Sequence, residues 1–181
     1  MNEVQPIRAK EKIEEVKNIL KHEESYRDYF MFVMGVNTGL RISDLLPLKV
    51  KDVRNKTHIT ILEKKTKKNK RFIINAGLRR EIEEYTANLN DEDYLFPSSR
   101  SNKNIQRVQA YKILNRAAKK AGLTEIGTHT LRKTFGYHYY KQTKDVAMLQ
   151  EIFNHSAPSV TMRYIGITQE EIDKSLEEFN L

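Results

Sequence analysis

The chain has no cysteine and no long apolar run. Without cysteine it can form neither disulfides nor thiolate metal sites, and nothing in its composition argues for secretion. No apolar stretch approaches the roughly 18 residues that a membrane helix requires, and the first residues are not typical of a signal peptide. We therefore expect a cytoplasmic protein.

Internal repeats, a low-complexity linker and a clear domain boundary are also missing. A length of 181 residues suits one domain that can bury a real core. The charge is unbalanced, because 32 Lys and Arg stand against 24 Asp and Glu, giving a net charge of +8. A basic protein of this size often binds a polyanion, most commonly nucleic acid.

The charges are unevenly distributed along the chain. The segment EKKTKKNKR at 63–71 holds six basic residues and one Glu, whereas 168–181 holds five acidic residues and one Lys. The pieces on either side, 57–62 and 71–75, alternate or are β-branched, which predicts a β-hairpin with the lysines at its turn. Such a run is most often a solvated loop, but a lysine-rich hairpin tip can enter a nucleic-acid groove.

Elsewhere the apolar spacing predicts helices, and Gly and Pro mark their ends. We expect a helix with an apolar stripe over 9–20, a buried one over 26–36 and a short one that stops at Pro47. Further predicted helices span 77–89, 104–121, 131–142, 146–153 and part of 168–181. The predicted fold is mainly α with one small antiparallel β-sheet, an α+β architecture.

Four residues near the C-terminus form a candidate site. His129 and Arg132 are three apart, so on a helix they project from one face as a small anion site. His155 follows, and Tyr164 comes nine residues later in HSAPSVTMRY. Each alone is more often a solvated polar residue or half-buried core. As a group they offer a nucleophile, a proton relay and a charge stabiliser.

A second arginine lies upstream in NTGLRISDLLPL. Arg41 follows a Gly-Leu turn, and Asp44 lies one helical turn later, where its carboxylate can hold the guanidinium in a fixed orientation. The site would then contain two guanidiniums, which suits the binding of a phosphate.

Five sequence elements now occur in a specific order: TGLRISDLLPLKV, the lysines of KKTKKNKRFII, HTLR, FNHS, and the Tyr nine residues after its His. This order resembles the catalytic domain of the tyrosine recombinases, the phage integrase family, from about residue 7 to the C-terminus. The resemblance implies the catalytic residues Arg41, Lys65, His129, Arg132, His155 and Tyr164, with Asp44 in support. The other basic hairpin residues are predicted to bind DNA: Lys64, Lys67, Lys68, Lys70 and Arg71. Lys133 replaces a histidine common in the family at a position that is usually structural.

The resemblance implies a single catalytic domain over 1–181, with a short arm at 1–6. The chain departs from the family in that no N-terminal core-binding domain is expected, so it is either a piece of a longer protein or a naturally short recombinase. It also implies double-stranded DNA as the partner, association with the nucleoid, and a homo-oligomer on DNA, a tetramer acting on two duplexes. In the tail, Ile172, Leu176 and Phe179 share one helix face, which packs either on its own domain or on a neighbouring copy.

The chemistry of these residues suggests strand breakage without a metal or another cofactor. A phenol can become covalently attached to phosphate, His129 is the candidate base, Lys65 the acid for the 5′ oxygen, and His155 a hydrogen-bond donor to the phosphate. Two guanidiniums and a lysine supply the positive charge. The alternatives are a catalytically silent DNA-binding protein of the same fold, a type IB topoisomerase-like enzyme, and a purely structural helical domain.

Overall fold

The computed structural model describes residues 4–63, 65, 67–124, 126–177 and 179. Within them the helices are α1 Lys10–Ile19, α2 Tyr26–Thr38, α3 Ile42–Leu45, α4 Ala76–Thr86, α5 Arg107–Lys120, α6 Thr130–Thr143, α7 Val146–Phe153, α8 Pro158–Ile165 and α9 Gln169–Glu177. The strands are β1 His58–Leu62 and β2 Asn69–Ile73, which pair antiparallel. The predicted α+β architecture is confirmed. None of the described helices is both long enough and apolar enough to span a membrane.

Several element ends differ from the sequence prediction. α5 begins at Arg107 because Asn104 instead pairs with Pro97 in an isolated β-bridge. β2 begins at residue 69, since Leu62 pairs with Asn69 and the hairpin turn is therefore shorter. Tyr164 lies within α8, a helix that the sequence analysis did not predict.

The buried helix α2 places the first arginine. It begins after Ser25, whose hydroxyl accepts a hydrogen bond from the Asp28 N–H at 3.2 Å, and it ends at Gly39, where φ is 65°. A side chain at Gly39 would be strained at this φ, and its Cβ would lie 2.4 Å from a Phe135 ring carbon. The glycine therefore allows the chain to turn tightly against α6, and Arg41 follows this turn directly.

Helix α6 connects two apolar clusters. Leu131, in the first turn of α6, belongs to the main core. Tyr137 belongs to the second cluster, where it packs with Phe153 of α7 and Ile165 of α8. A Cβ at Gly136 would lie 2.7 Å from both Phe153 and Ile165 side-chain atoms, so glycine permits this close packing. The close approach brings α8, which carries Tyr164, beside α6.

The hairpin is attached to the C-terminal end of α7. Lys70 Nζ donates to the backbone carbonyls of Glu151 and Ile152, both at 2.8 Å, and Lys68 Nζ donates to Asn154 Oδ1 at 3.0 Å. The last carbonyls of a helix have no partner within the helix and carry partial negative charge, so an ammonium group suits them. These contacts hold the basic turn near the residues that follow α7.

Of the segment 1–6 that was expected as a short arm, residues 1–3 lie outside the described residues, and the part nearest α1 packs on the protein. Pro6 and Ile7 are buried, and the Ile7 N–H donates to Thr134 Oγ1 of α6 at 2.9 Å. The segment immediately before α1 therefore packs against α6.

Candidate active site

Four of the predicted site residues line one cleft. Arg41, Lys65, His129 and Arg132 border a space of about 270 Å³. Arg41 immediately precedes α3, Lys65 lies between β1 and β2, His129 immediately precedes α6, and Arg132 lies in the first turn of α6. Residues that are far apart in the sequence thus meet around a cavity large enough for a phosphate group.

The two remaining predicted residues lie beside this cleft. Tyr164 Oη is 3.3 Å from His129 Nδ1, and the rings of Tyr164 and His155 are 5.1 Å apart between centroids. His155 follows α7, which ends beside α8. All six predicted catalytic residues therefore belong to one site.

Arg132 is held in a single orientation. Its side chain is almost fully buried, with the residue 3% exposed. Nη1 donates to the Gly39 carbonyl at 2.5 Å, Nη2 donates to the Phe153 carbonyl at 3.1 Å, and the guanidinium stacks 4.2 Å from the Phe153 ring centroid. Burial lowers the pKa of Arg132 to about 10, so it still carries its charge at neutral pH.

Arg41 has a different principal partner from the one predicted. Its Nη1 donates to Glu63 Oε1 at 2.6 Å, whereas the nearest Asp44 oxygen is 4.0 Å away. Glu63 is only 1% exposed and is the residue that follows β1. The sequence analysis missed this role, although Glu63 is the lone acidic residue in its basic segment. A buried carboxylate that close fixes the guanidinium more firmly than Asp44 does at its distance.

The protonation states of Tyr164 and His129 suit a proton transfer. Burial raises the pKa of the Tyr164 phenol, although the charges of Arg132 and Arg41 oppose this effect. Burial also lowers the pKa of His129, and the nearby charges of Arg107 and Lys133 lower it further. At neutral pH the phenol therefore keeps its proton, and the imidazole 3.3 Å away has an open nitrogen to accept it.

His155 is neutral and anchored on one side. Its Nδ1 lies 3.0 Å from the hydroxyl of Thr161, a fully buried residue of α8. Burial, followed by the charge of Arg132, lowers its pKa to about 4. When Thr161 donates to Nδ1, the opposite nitrogen carries the hydrogen and can donate to a ligand.

The basic hairpin residues fall into distinct groups. Lys65 borders the cleft, and Lys67 is exposed in the turn. Lys70 bonds the end of α7, as described above, and burial lowers its pKa. Arg71 lies on the exposed face of β2, with Nη2 3.3 Å from His58 Nδ1. Lys64 lies outside the described residues.

Two further cations border the site. Arg107, the first residue of α5, lines the same cleft, and no described residue offers it a hydrogen bond or ion pair. Lys133 is nearly buried, and its Nζ lies 5.2 Å from the Tyr164 ring centroid. Lys133 was expected to be structural, and Arg107 carried no motif by which the sequence could single it out.

Comparison with known proteins assigns the family. The sequence model of the phage integrase family matches residues 9–171. The "Probable integrase/recombinase YoeC" of Bacillus subtilis is 58% identical over 170 residues, which cover 94% of this chain and 93% of that protein. The "Tyrosine recombinase XerA" of Pyrococcus furiosus is 30% identical over 175 residues; these cover 93% of this chain and 60% of the relative.

Solved structures give the same fold. A crystal structure of XerA recombinase covers 99% of this chain and 66% of its own, with a TM-score of 0.79 and 19% identity. The catalytic domain of bacteriophage HP1 integrase covers 97% of this chain and 95% of its own, with a TM-score of 0.66 and 21% identity. At these identities the likeness establishes the fold alone. The sequence matches show that the chain belongs to the phage integrase family.

Proposed function

We propose that this chain breaks and rejoins DNA strands through a covalent bond between Tyr164 and a DNA 3′ phosphate. The observation that carries the proposal is the phenol of Tyr164 at 3.3 Å from the imidazole of His129, beside two oriented guanidiniums. A protein that only binds DNA needs no aligned phenol and base.

In the proposed cleavage step, side chains of the site accept and supply every proton that moves. Tyr164 Oη attacks the phosphorus, its proton passes to His129 Nδ1, and the bond from phosphorus to the 5′ oxygen breaks. Lys65 gives a proton to that oxygen, which leaves as a 5′ hydroxyl. The phosphotyrosyl bond conserves the energy of the broken bond, so a 5′ hydroxyl from another duplex can reverse the step and join the strands.

The arginines stabilise the charge that develops during attack. Arg41 and Arg132 donate to the non-bridging oxygens, and His155 donates through its free nitrogen. Because their partners hold both guanidiniums before DNA arrives, little reorganisation is needed, and one such donor typically contributes about 10²–10³ in rate. The proposed step uses no metal or high-energy cofactor, since these side chains supply the charge.

The experiment that tests the proposal is adduct formation with a nicked suicide duplex. The duplex carries the DNA that flanks the gene for this chain, with a nick that lets the cleaved strand diffuse away. The proposal requires a protein–DNA adduct that survives denaturation and releases a 5′ hydroxyl end. Binding without an adduct would favour the catalytically silent alternative.

The pH dependence of cleavage tests His129 as the base. Because its pKa lies below the usual value of about 6.5, the imidazole stays unprotonated to lower pH, and the rate should fall only below about 6.5. Cleavage is measured at subsaturating protein, where the profile reports the groups of the uncomplexed enzyme. His155, with a pKa of about 4, should not contribute above pH 5.

The matched variant for this profile is His129→Gln, which should lower the rate and remove the acidic limb. An acidic limb centred above 6.5 in the parent, or one that persists in the variant, would contradict the assignment of His129 as base.

The proposed partners are double-stranded DNA and further copies of the chain. The exposed basic residues beside the cleft, such as Lys67 and Arg107, would contact backbone phosphates around the scissile one. Binding that depends on phosphate contacts should weaken steeply as salt rises. Strand exchange between two duplexes requires four cleavages, so we propose a tetramer on paired sites.

The tail helix α9 is proposed to dock on a neighbouring copy. Its first turn is tied to its own domain, where Glu171 lies 3.0 Å from Lys141 Nζ, but further along Leu176 and Phe179 are 62% and 66% exposed. Burying both on a second copy would contribute a few kcal/mol. Replacing both with serine should therefore weaken assembly on paired sites about 10-fold or more.

The measurement is the population of the paired-site complex by native gel or mass photometry. Binding of one copy to one half-site should not change. Glu177→Gln, an exposed change in the same helix, is the matched control. Unchanged assembly in the double variant would show that the apolar face serves its own domain.

A further inference from the structure

The segment before α1 makes specific contacts with α6, which packs beside α8, the helix that carries the proposed nucleophile Tyr164. Ile7 is 2% exposed; its N–H donates to Thr134 Oγ1 at 2.9 Å, and its carbonyl accepts from His138 Nε2 at 2.9 Å. Both partners lie on α6. The backbone at Ile7 is thus fixed to the helix that carries Arg132 and begins directly after His129. The backbone position of the next residue, Arg8, is therefore also defined.

The Arg8 side chain joins three separate elements. Its Nη2 donates to the carbonyl of Gly166, the residue that ends α8, at 2.7 Å. Its Nη1 lies 3.5 Å from Glu171 Oε2 in α9, and its guanidinium carbon lies 5.1 Å from the Tyr137 ring centroid of α6. One guanidinium therefore connects the end of the nucleophile helix to α6 and to the tail.

The end of α8 needs such an anchor. α8 has eight residues, about two turns, and a helix of this length has little stability of its own. Ile165 and Thr161 anchor it on its buried face, but the carbonyl at its end has no partner within the helix. Tyr164 is two residues before Gly166, so a shift of the last turn moves the phenol directly.

We propose that Arg8 is a positioning residue for the nucleophile, which holds the last turn of α8 so that the Tyr164 phenol stays within reach of His129 and the scissile phosphate. This inference rests on the proposed function of Tyr164. The contacts of Arg8 with Gly166, Glu171 and Tyr137 include no reacting atom, so Arg8 is proposed to act through the helix. The tail helix α9 contacts the same guanidinium through Glu171. Docking of α9 on a neighbouring copy would therefore affect the position of Tyr164 through Arg8.

Lys141 provides a matched control. Its Nζ lies 3.0 Å from Glu171 and 5.7 Å from the Tyr137 ring centroid, so it shares two of the three Arg8 contacts. Among the described residues, however, only Arg8 donates to the Gly166 carbonyl. A comparison of the two positions separates the anchoring of α8 from the loss of a positive charge beside Glu171 and Tyr137.

The experiment compares Arg8→Gln, Arg8→Lys and Lys141→Gln in the full chain with the nicked suicide duplex. At saturating protein, Arg8→Gln should slow adduct formation about 10-fold, because small displacements of reacting groups cost rate steeply. DNA affinity and the fraction of protein that finally reacts should match the parent. Arg8→Lys, which keeps a donor and a charge, should recover most of the rate, and Lys141→Gln should stay within about twofold of the parent.

Rejoining gives a readout that general destabilisation would not produce. In the adduct, Tyr164 is already bonded to phosphorus, so Arg8→Gln should rejoin an added 5′-hydroxyl strand at nearly the parental rate while it cleaves slowly. Equal slowing of both steps, or slowing of cleavage that Lys141→Gln reproduces, would overturn the proposal. A loss confined to the reactive fraction would also overturn it. If the parent itself forms no adduct, the proposed function fails, which is a separate outcome.

Discussion

Tyr164→Phe is expected to abolish the covalent adduct with DNA. The substitution removes only the attacking oxygen, and no other described hydroxyl takes its position beside His129 Nδ1. Loss of a catalytic nucleophile commonly costs about 10⁴-fold or more in rate. The phenol hydroxyl lies 3.3 Å from His129 Nδ1 and is also hydrogen-bonded to the side chain of Arg132, so the free energy of unfolding should fall by about 1–3 kcal/mol.

The measurements are adduct yield on denaturing gels, DNA affinity by gel shift, and thermal unfolding. Affinity should stay close to the parental value, because the phosphate ligands remain. Tyr139→Phe is the matched control: its ring packs 5.9 Å from that of Phe135 on the same face of α6, outside the cleft. An adduct that persists in Tyr164→Phe but not in another tyrosine variant would move the nucleophile to that residue.

Lys65→Ala is expected to slow cleavage by about 10²–10⁴, the usual contribution of a general acid. Among the described hairpin lysines, Lys65 borders the cleft, whereas Lys70 is engaged with the end of α7 and Lys68 with Asn154. Without Lys65 the 5′ oxygen must leave as an alkoxide. A duplex with sulfur at the bridging 5′ position has a leaving group that needs little protonation, so it should restore the rate of Lys65→Ala.

The rescue separates an acid from a phosphate ligand. Lys67→Ala, a change in the same turn, should weaken DNA binding but leave the rate at saturating protein near the parental value on both duplexes. Arg8→Gln should stay slow on the sulfur-containing duplex, since its defect concerns the attacking group. If sulfur does not rescue Lys65→Ala, the acid is another residue.

The elements of the fold were largely predictable because their signals are local. Apolar spacing indicated the helices, and Val146–Phe153 was predicted with its observed ends. Errors arose where a tertiary pairing overrode the local pattern. The bridge between Asn104 and Pro97 delayed the start of α5, and the register of the hairpin shifted β2.

The proposed catalytic residues could be named from the sequence because each lies in a motif, and the order of the motifs resembles one family. The residues that support the set were not. Glu63 bonds Arg41 from 22 positions away, and Arg8 reaches Gly166 across 158 positions. Contacts between residues so far apart in the sequence follow no fixed spacing, so a sequence pattern cannot predict them.

The amino-acid sequence by itself determined the helix pattern, the basic hairpin and the kinds of side chain that the candidate site offers. These follow from local periodicity and from the chemistry of each residue. The tertiary structure decided which groups are in contact and how they are protonated. Packing of α8 against Gly136 brings the phenol to His129, and burial raises the pKa of Tyr164 and lowers that of His129. The physical reason is that hydration and distance between groups exist only in the folded chain.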